Sequence, residues 1–332
     1  MKPPPQLLRT PPGEPLAWVV RGRLAESVHT GHLLVLDSVS ERVRVGDPDA
    51  PMFARSSLKP LQALAMLRAG ANLDDAQLAL ACGSHAGTPQ HVAVARSTLA
   101  SVGLTDDALQ NTPDWPLDGG ARSAVVRAGG GPAALTQNCS GKHAAMIATC
   151  VAAGWELRSY RSPRHPLQRM IAETMTELTG VRPQESAVDG CGAPLFASTL
   201  RGLARAFSCL ADGEPGTLER RVADAMRARP ELIAGEGRTD TAAMRDVPGL
   251  ICKGGAEGVL AAALPGGRAV VAKVADGSAR PVPLLLAEGL RLLGERGPWE
   301  WERVPVLGHG EPVGAVIPAL GTGAHRADGA GT

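Results

Sequence analysis

WVVRGRLAESVHTGHLLVLD, residues 18–37, carries short apolar runs rich in valine and leucine and reads as β-strand. ERVRVGD, residues 41–47, reads the same way. Toward the other end, GRAVVAKVADGSARPVP, residues 267–283, has the pattern of a strand pair around Asp276-Gly277, a hairpin-type turn. Helix signals fill the space between. SLKPLQALAMLRAG, residues 57–70, predicts a helix closing on Gly70. Asp74-Asp75 marks the start of the next, which runs to about Cys82. Further helices are predicted over 89–102, 142–153, 166–179, 193–211, 216–228 and 283–295. Strands at both ends with helices between predict an α+β fold: a mixed sheet with helices, the two ends of the chain meeting in one sheet. The proline-rich residues 1–14 read as a flexible arm and 321–332 as a flexible tail, leaving 15–320 as the folded domain.

A length of 332 residues fits one large domain or two intimate ones. Only 3% of residues are aromatic, so the core must be built from Leu, Val and Ala. The net charge of +1, with no basic stripe, excludes nucleic acid and anionic lipid as electrostatic partners. Six cysteines (Cys82, Cys139, Cys150, Cys191, Cys209, Cys252) are spread along a long chain, which fits reduced thiols in a cytoplasmic protein. The N-terminus lacks the apolar run of a signal peptide, and no stretch approaches the ~20 apolar residues of a membrane span.

Several short segments carry reactive side chains. In RSSLKP, residues 55–60, Ser56 and Lys59 form an S-x-x-K spacing that puts hydroxyl and amine on one helix face. Pro60 requires that helix to begin near Ser56. At such an end the dipole disfavours an ammonium and favours developing negative charge, which suits a lysine base and a serine nucleophile. A helix cap beside a surface lysine would look the same. ACGSHAGTPQH, residues 81–91, sets Ser84-His85 between glycines, either at a site or in a plain turn with Thr88 capping the next helix. In NCSGKHAAM, residues 138–146, a phosphate loop is excluded, because Thr136 stands where its first glycine is needed and His143 follows the lysine. Cys139 and Lys142 instead open a helix, on one face. VDGCGAP, residues 188–194, puts Asp189 and Cys191 in a glycine-lined turn, and Cys191 with Cys139 offers two thiols, either to zinc or to the core. Lys253 in KGGAEG and Lys273 in AKVADGS each stand beside a glycine-rich turn; Lys273, among apolar strand neighbours, points either inward with a depressed pKa or outward.

Taken in order, RSSLKP, CGSHAG, NCSGKHAAM, HPLQ (165–168), VDGCGAP, GRTDT (237–241) and KGGAEGV (253–259) resemble the Rhizobium etli-type L-asparaginases, the asparaginase II family or class 3. The resemblance spans nearly the whole chain. It implies a fold similar to serine β-lactamases and glutaminases, a homodimer, and hydrolysis of L-asparagine to aspartate and ammonia. It also implies Ser56 as nucleophile with Lys59 as its base, and Ser84 with Lys273 as a second Ser-Lys tandem. Cys139, Lys142 and Cys191 would hold zinc, which assists substrate positioning, with Asp189 in the same site. Arg55 is the candidate for the substrate carboxylate. The chain departs from the family's pattern at Thr30, where arginine is usual, and at His309, where asparagine is usual. Two other readings stand beside this one. A penicillin-recognising serine hydrolase would use S-x-x-K, Ser140-Gly-Lys142 and Lys253-Gly-Gly255, but the S-D-N and K-T-G motifs are absent. A non-catalytic amino-acid-binding protein on the same scaffold would not need Ser56, Lys59, Ser84 and Lys273 together.

Overall fold

A computed structural model of the chain describes residues 10–38, 40–183, 186–319 and 325–326. Twelve strands occur among these residues: β1 (Glu14–Arg21), β2 (Leu24–Leu36), β3 (Glu41–Val45), β4 (Met52–Phe53), β5 (Ser186–Val188), β6 (Pro194–Ser198), β7 (Ile251–Gly255), β8 (Val259–Leu264), β9 (Arg268–Val274), β10 (Pro305–Gly308), β11 (Glu311–Pro318) and β12 (His325–Arg326). The main sheet runs β10-β11-β1-β2-β9-β8-β7, with β3 also paired to β2 and β12 paired to β3. β1 pairs antiparallel with β11, Trp18 opposite Ile317, so the two ends of the chain do meet in one sheet. Mixed helices and antiparallel sheet make this the α+β fold that the strand and helix pattern predicts.

Eleven helices are described: α1 (Lys59–Arg68), α2 (Asp75–Cys82), α3 (Pro89–Ala100), α4 (Gly119–Arg127), α5 (Ser140–Ala152), α6 (Pro166–Thr179), α7 (Leu200–Ala211), α8 (Leu218–Ala228), α9 (Pro230–Ile233), α10 (Thr239–Asp246) and α11 (Val282–Leu292). Local chemistry explains their ends. Asp74 accepts the Gln77 N–H and Gln77 returns a bond to the Asp74 N–H, a reciprocal cap on α2. α6 ends at Gly180, whose left-handed backbone (φ 70°) closes the last turn. α7 and α11 both pack on β9, where Ala269, Val270, Val271 and Ala272 are all buried. α1 is buried along nearly its whole length and forms the centre of the helical layer.

Three sequence readings change. Residues 194–198, predicted as helix, form β6, and the helix starts only at Leu200. Pro194 begins a buried strand that pairs with β4 and β5, a long-range pairing invisible to local periodicity. Asp276-Gly277 is not a hairpin: β9 pairs with β8 and β2, and the turn leads into α11. Within the predicted arm, residues 1–9 lie outside the described residues, while Thr10 donates to Pro51 O at 2.8 Å and Pro11 O stands 2.9 Å from His32 Nε2. Of the predicted tail only 325–326 are described, and they pair with β3.

Candidate active site

Arg55–Leu58 form one tight helical turn that runs directly into α1. Pro60 takes a first-turn position, where its missing N–H leaves no bond unmade. Ser56 and Lys59 therefore stand at a helix N-terminus, as their spacing predicts. Ser56 opens onto a cavity of about 500 Å³, which Ser84, Asn138, Arg238, Asp240 and Lys253 also line. Lys59 is buried, and its Nζ donates to Ser84 Oγ at 2.9 Å and to Gly83 O. Ser56 and the glycine-flanked Ser84 thus line one cavity, and Lys59 of the S-x-x-K is bonded to Ser84.

Ser84 is held from several sides. Its N–H donates to Ile233 O at 2.7 Å, and the His85 N–H donates to Asn138 O at 3.1 Å. His85 Nδ1 accepts the Gly87 N–H, which leaves the ring proton on Nε2 to bond Ser140 Oγ at 2.9 Å. The ring stacks on that of His91 at 5.0 Å. Burial, with His91 and Lys59 adding to it, pushes His85 well below the usual histidine range, and burial lowers His91 too. Both act as neutral props for the loop.

The lysine that shares the cavity with Ser84 is Lys253, not Lys273. Lys253 lies on β7, at the sheet's edge, against the Ser56 turn. Ser57 Oγ donates to Lys253 O at 3.0 Å, and a side chain at Gly255 would strike Ala54 O at 2.7 Å, so this close approach needs glycine. The Lys253 amine is 3.8 Å from Asp240, whose carboxylate also accepts the Gly254 N–H at 2.8 Å. Burial lowers the Lys253 pKa to about 8, with Asp240 opposing. Lys273 lies on β9, flanked by β2 and β8, with His32 and Val259 opposite. Its ammonium donates to Glu257 O at 2.7 Å and Val274 O at 2.6 Å, and it does not line the cavity.

Arg55 and Asp189 meet each other: Arg55 Nε donates to Asp189 Oδ1 at 2.9 Å, and Glu257 stands 3.8 Å from the same guanidinium. Arg55 has φ 53°, a left-handed backbone that costs a non-glycine residue roughly 1–3 kcal/mol, so its pairing holds the turn ahead of Ser56 in an otherwise disfavoured shape. Neither residue lines the cavity.

Cys139, Lys142 and Cys191 come together below that pair. Cys139 precedes α5, Lys142 lies in its first turn, and Cys191 lies in the turn between β5 and β6. Lys142 Nζ donates to Cys191 Sγ at 3.1 Å. The Cys191 thiol and the Lys142 and Lys59 charges hold Cys139 well below the ordinary thiol range. Burial disfavours the Lys142 ammonium, but the charge on the Cys191 and Cys139 pair outweighs it and raises the lysine's pKa. Among the described residues no three His, Cys, Asp or Glu side chains cluster as a metal centre, so any metal here would need the lysine as third donor. Two thiols and a lysine nitrogen, all buried, would suit zinc once the thiols and the lysine have given up their protons to the solvent. The other cysteines are unpaired as well, and Cys82, fully buried, is pushed up to about 12 by burial, an inert thiol.

The sequence profile of L-asparaginase II matches residues 17–318, which takes in every residue of the cavity. The chain belongs to the L-asparaginase II family. A search of curated proteins by sequence finds no match. Among solved structures the chain is similar to Mglu in its native form in 4.3 M NaCl, at 17% identity and a TM-score of 0.43, with 81% of this chain and 63% of that one covered. It therefore spans less than two thirds of the Mglu chain. It is also similar to a protein from Bacteroides dorei DSM 17855 named as a candidate beta-lactamase, at 14% identity and a TM-score of 0.42, with 80% and 93% covered.

The sequence reading pairs Ser84 with Lys273, whereas the cavity is lined by Lys253, and by Arg238 and Asn138, which that reading does not single out. The one available signal was Lys253-Gly254-Gly255: two glycines after a lysine permit a backbone approach that Lys273, followed by Val274, does not. The departure at His309 proves remote, in the exposed turn between β10 and β11, where φ is 51°. Asparagine suits that backbone better, so the change bears on the hairpin and not on the cavity.

Proposed function

We propose that this chain is an L-asparaginase of the Rhizobium etli type, hydrolysing the side-chain amide of L-asparagine to aspartate and ammonia. The observation that carries the reading is the convergence of Ser56, Ser84 and Lys253 on one cavity, with Lys59 bonded to Ser84. Ser56 Oγ attacks the amide carbon and its proton passes to Lys59. The C–N bond breaks as Lys59 passes that proton to the leaving nitrogen, which departs as ammonia; water then hydrolyses the β-aspartyl ester, giving aspartate and restoring the Ser56 hydroxyl. Ser84, bonded to Lys59, relays protons, and Lys253 replaces Lys273 as the second lysine. With a pKa of about 8, Lys253 exists in both protonation states near neutrality, which suits a proton carrier.

Cys139, Lys142 and Cys191 would hold zinc. When bound, zinc supplies a fixed positive charge that assists substrate positioning. Arg55 and Asp189 bridge this site to the Ser56 turn and keep its backbone in place. The resemblance makes the working assembly a homodimer. Among the described residues no helix is long and apolar enough to cross a membrane.

Ammonia release from L-asparagine, with L-glutamine in parallel, tests the function. Wild type should turn over asparagine, and Ser56→Ala should lose at least 10³-fold in kcat, since the covalent route is removed. Near-wild-type turnover by Ser56→Ala would sink the mechanism.

A further inference from the structure

We infer that Arg238 is the residue that selects a substrate carrying a free α-carboxylate, so that the enzyme takes a free amino acid and not an internal peptide residue. The inference rests on the amidohydrolase reading of the same cavity.

The charges around the cavity are nearly all committed. Lys59 bonds Ser84 and Gly83. Lys253 and Asp240 face each other at 3.8 Å, and Asp240 also accepts the Gly254 N–H. Arg55, the sequence-based candidate for this task, already donates to Asp189 and faces Glu257, and it does not line the cavity. Nearby acids are engaged elsewhere: Glu236 is bonded twice by Arg245, and Glu231 by Arg229. Arg238 is the one arginine among the lining residues, and its guanidinium has no hydrogen bond or ion pair with any described residue. It precedes α10 and is exposed, on the same cavity wall as Thr239 and Asp240.

An unpaired guanidinium beside reacting groups offers a planar pair of N–H donors matched to a carboxylate. The amide under attack is neutral, so the reaction itself provides no anion for it in the ground state. The free amino acid does: its α-carboxylate is the one anionic group of asparagine. Holding that group would fix how deep the side chain reaches toward Ser56. An asparagine within a peptide has no such group and would leave Arg238 unmatched.

Three proteins test this: wild type, Arg238→Met and Arg238→Lys. Each is given L-asparagine and L-asparagine α-amide, in which the α-carboxylate is a carboxamide, and hydrolysis of the side-chain amide is followed by product chromatography. Binding of L-aspartate is measured calorimetrically on the same proteins. Arg238→Met should raise KM for asparagine about tenfold, the weight of a charge-assisted hydrogen bond, with kcat within a few-fold of wild type. Its KM for the α-amide should be unchanged, so the preference between the two disappears, and Arg238→Lys should recover part of it. Aspartate binding should weaken about tenfold in Arg238→Met. An equal effect of Arg238→Met on both substrates, or no effect on either, overturns the inference while leaving the asparaginase reading intact. Absence of ammonia release from wild type sinks the asparaginase reading instead, and aspartate binding that is unchanged in Arg238→Met, or absent from wild type, then overturns the role of Arg238 as well.

Discussion

Lys253 and Lys273 show how much a single lysine depends on its surroundings. Both follow apolar strand residues and both precede glycine-rich turns. Only Lys253 is fully buried beside the cavity, and burial brings its pKa to about 8. A lysine that must be neutral to accept a proton is inactive below its pKa and active above it. kcat/KM for asparagine should therefore rise with pH through about 8 and level off above. Lys253→Met should abolish that limb and most activity, whereas Lys273→Met should keep both, because its ammonium bonds only the carbonyls of Glu257 and Val274 outside the cavity. Steady-state pH profiles of the two variants decide the matter; a larger loss in Lys273→Met would reverse the assignment. The S-x-x-K pair was legible because its geometry is local to one turn. Which lysine joins Ser84 was not, because it depends on the pairing of β7, β8 and β9.

Among the elements, α5 places both Lys142 and the first residues of the thiol site, and its packing rests on Gly141. A Cβ there would stand 2.4 Å from Leu80 Cγ and 2.9 Å from Leu80 O on α2. Two effects oppose each other in Gly141→Ala. Removing a helical glycine gains up to about 1 kcal/mol, less in a first turn. Overpacking costs roughly 1–3 kcal/mol, and the carbonyl oxygen of a packed helix has little room to yield. The clash should win, lowering stability by about 1–2 kcal/mol in urea unfolding; a more stable variant would show that α2 and α5 can separate at no cost. The glycine itself is visible in NCSGKH, but its reason lies in Leu80, far back in the chain on α2. Likewise the helix predicted over 166–179 coincides with α6, whereas β6 is missed because a strand of five buried residues has no period to betray it.

For the whole molecule, the candidate zinc site joins segments that are far apart in sequence: the start of α5 and the β5–β6 turn, which the Arg55–Asp189 pair ties to the Ser56 turn. A metal bound to the folded chain alone stabilises it by mass action, about 2.7 kcal/mol at 100 times Kd. Protein purified without chelator should contain close to one zinc per chain by elemental analysis, and chelation should lower Tm by several degrees. An equal Tm response to zinc in Cys191→Ser would exclude this site. At this scale the two ends of the chain meet in one sheet, as the strand signals at 18–37 and 267–283 predict, but β11, which pairs with β1, goes unpredicted: Glu311–Pro318 is mostly exposed, and Pro312 and Gly314 interrupt any strand period.

The amino-acid sequence by itself determined the α+β class, the helix starts at Pro60, Asp74 and Pro166, and the Ser56–Lys59 and Cys139–Lys142 pairs. All of these follow from spacing within a turn or two, where backbone geometry leaves few alternatives. The tertiary structure decided that Lys253 and not Lys273 lines the cavity with Ser84, that Arg55 is bound to Asp189, and that Arg238 lines the cavity with no partner among the described residues. Those outcomes depend on strand register and on which charges find partners across the chain, and no local pattern encodes either.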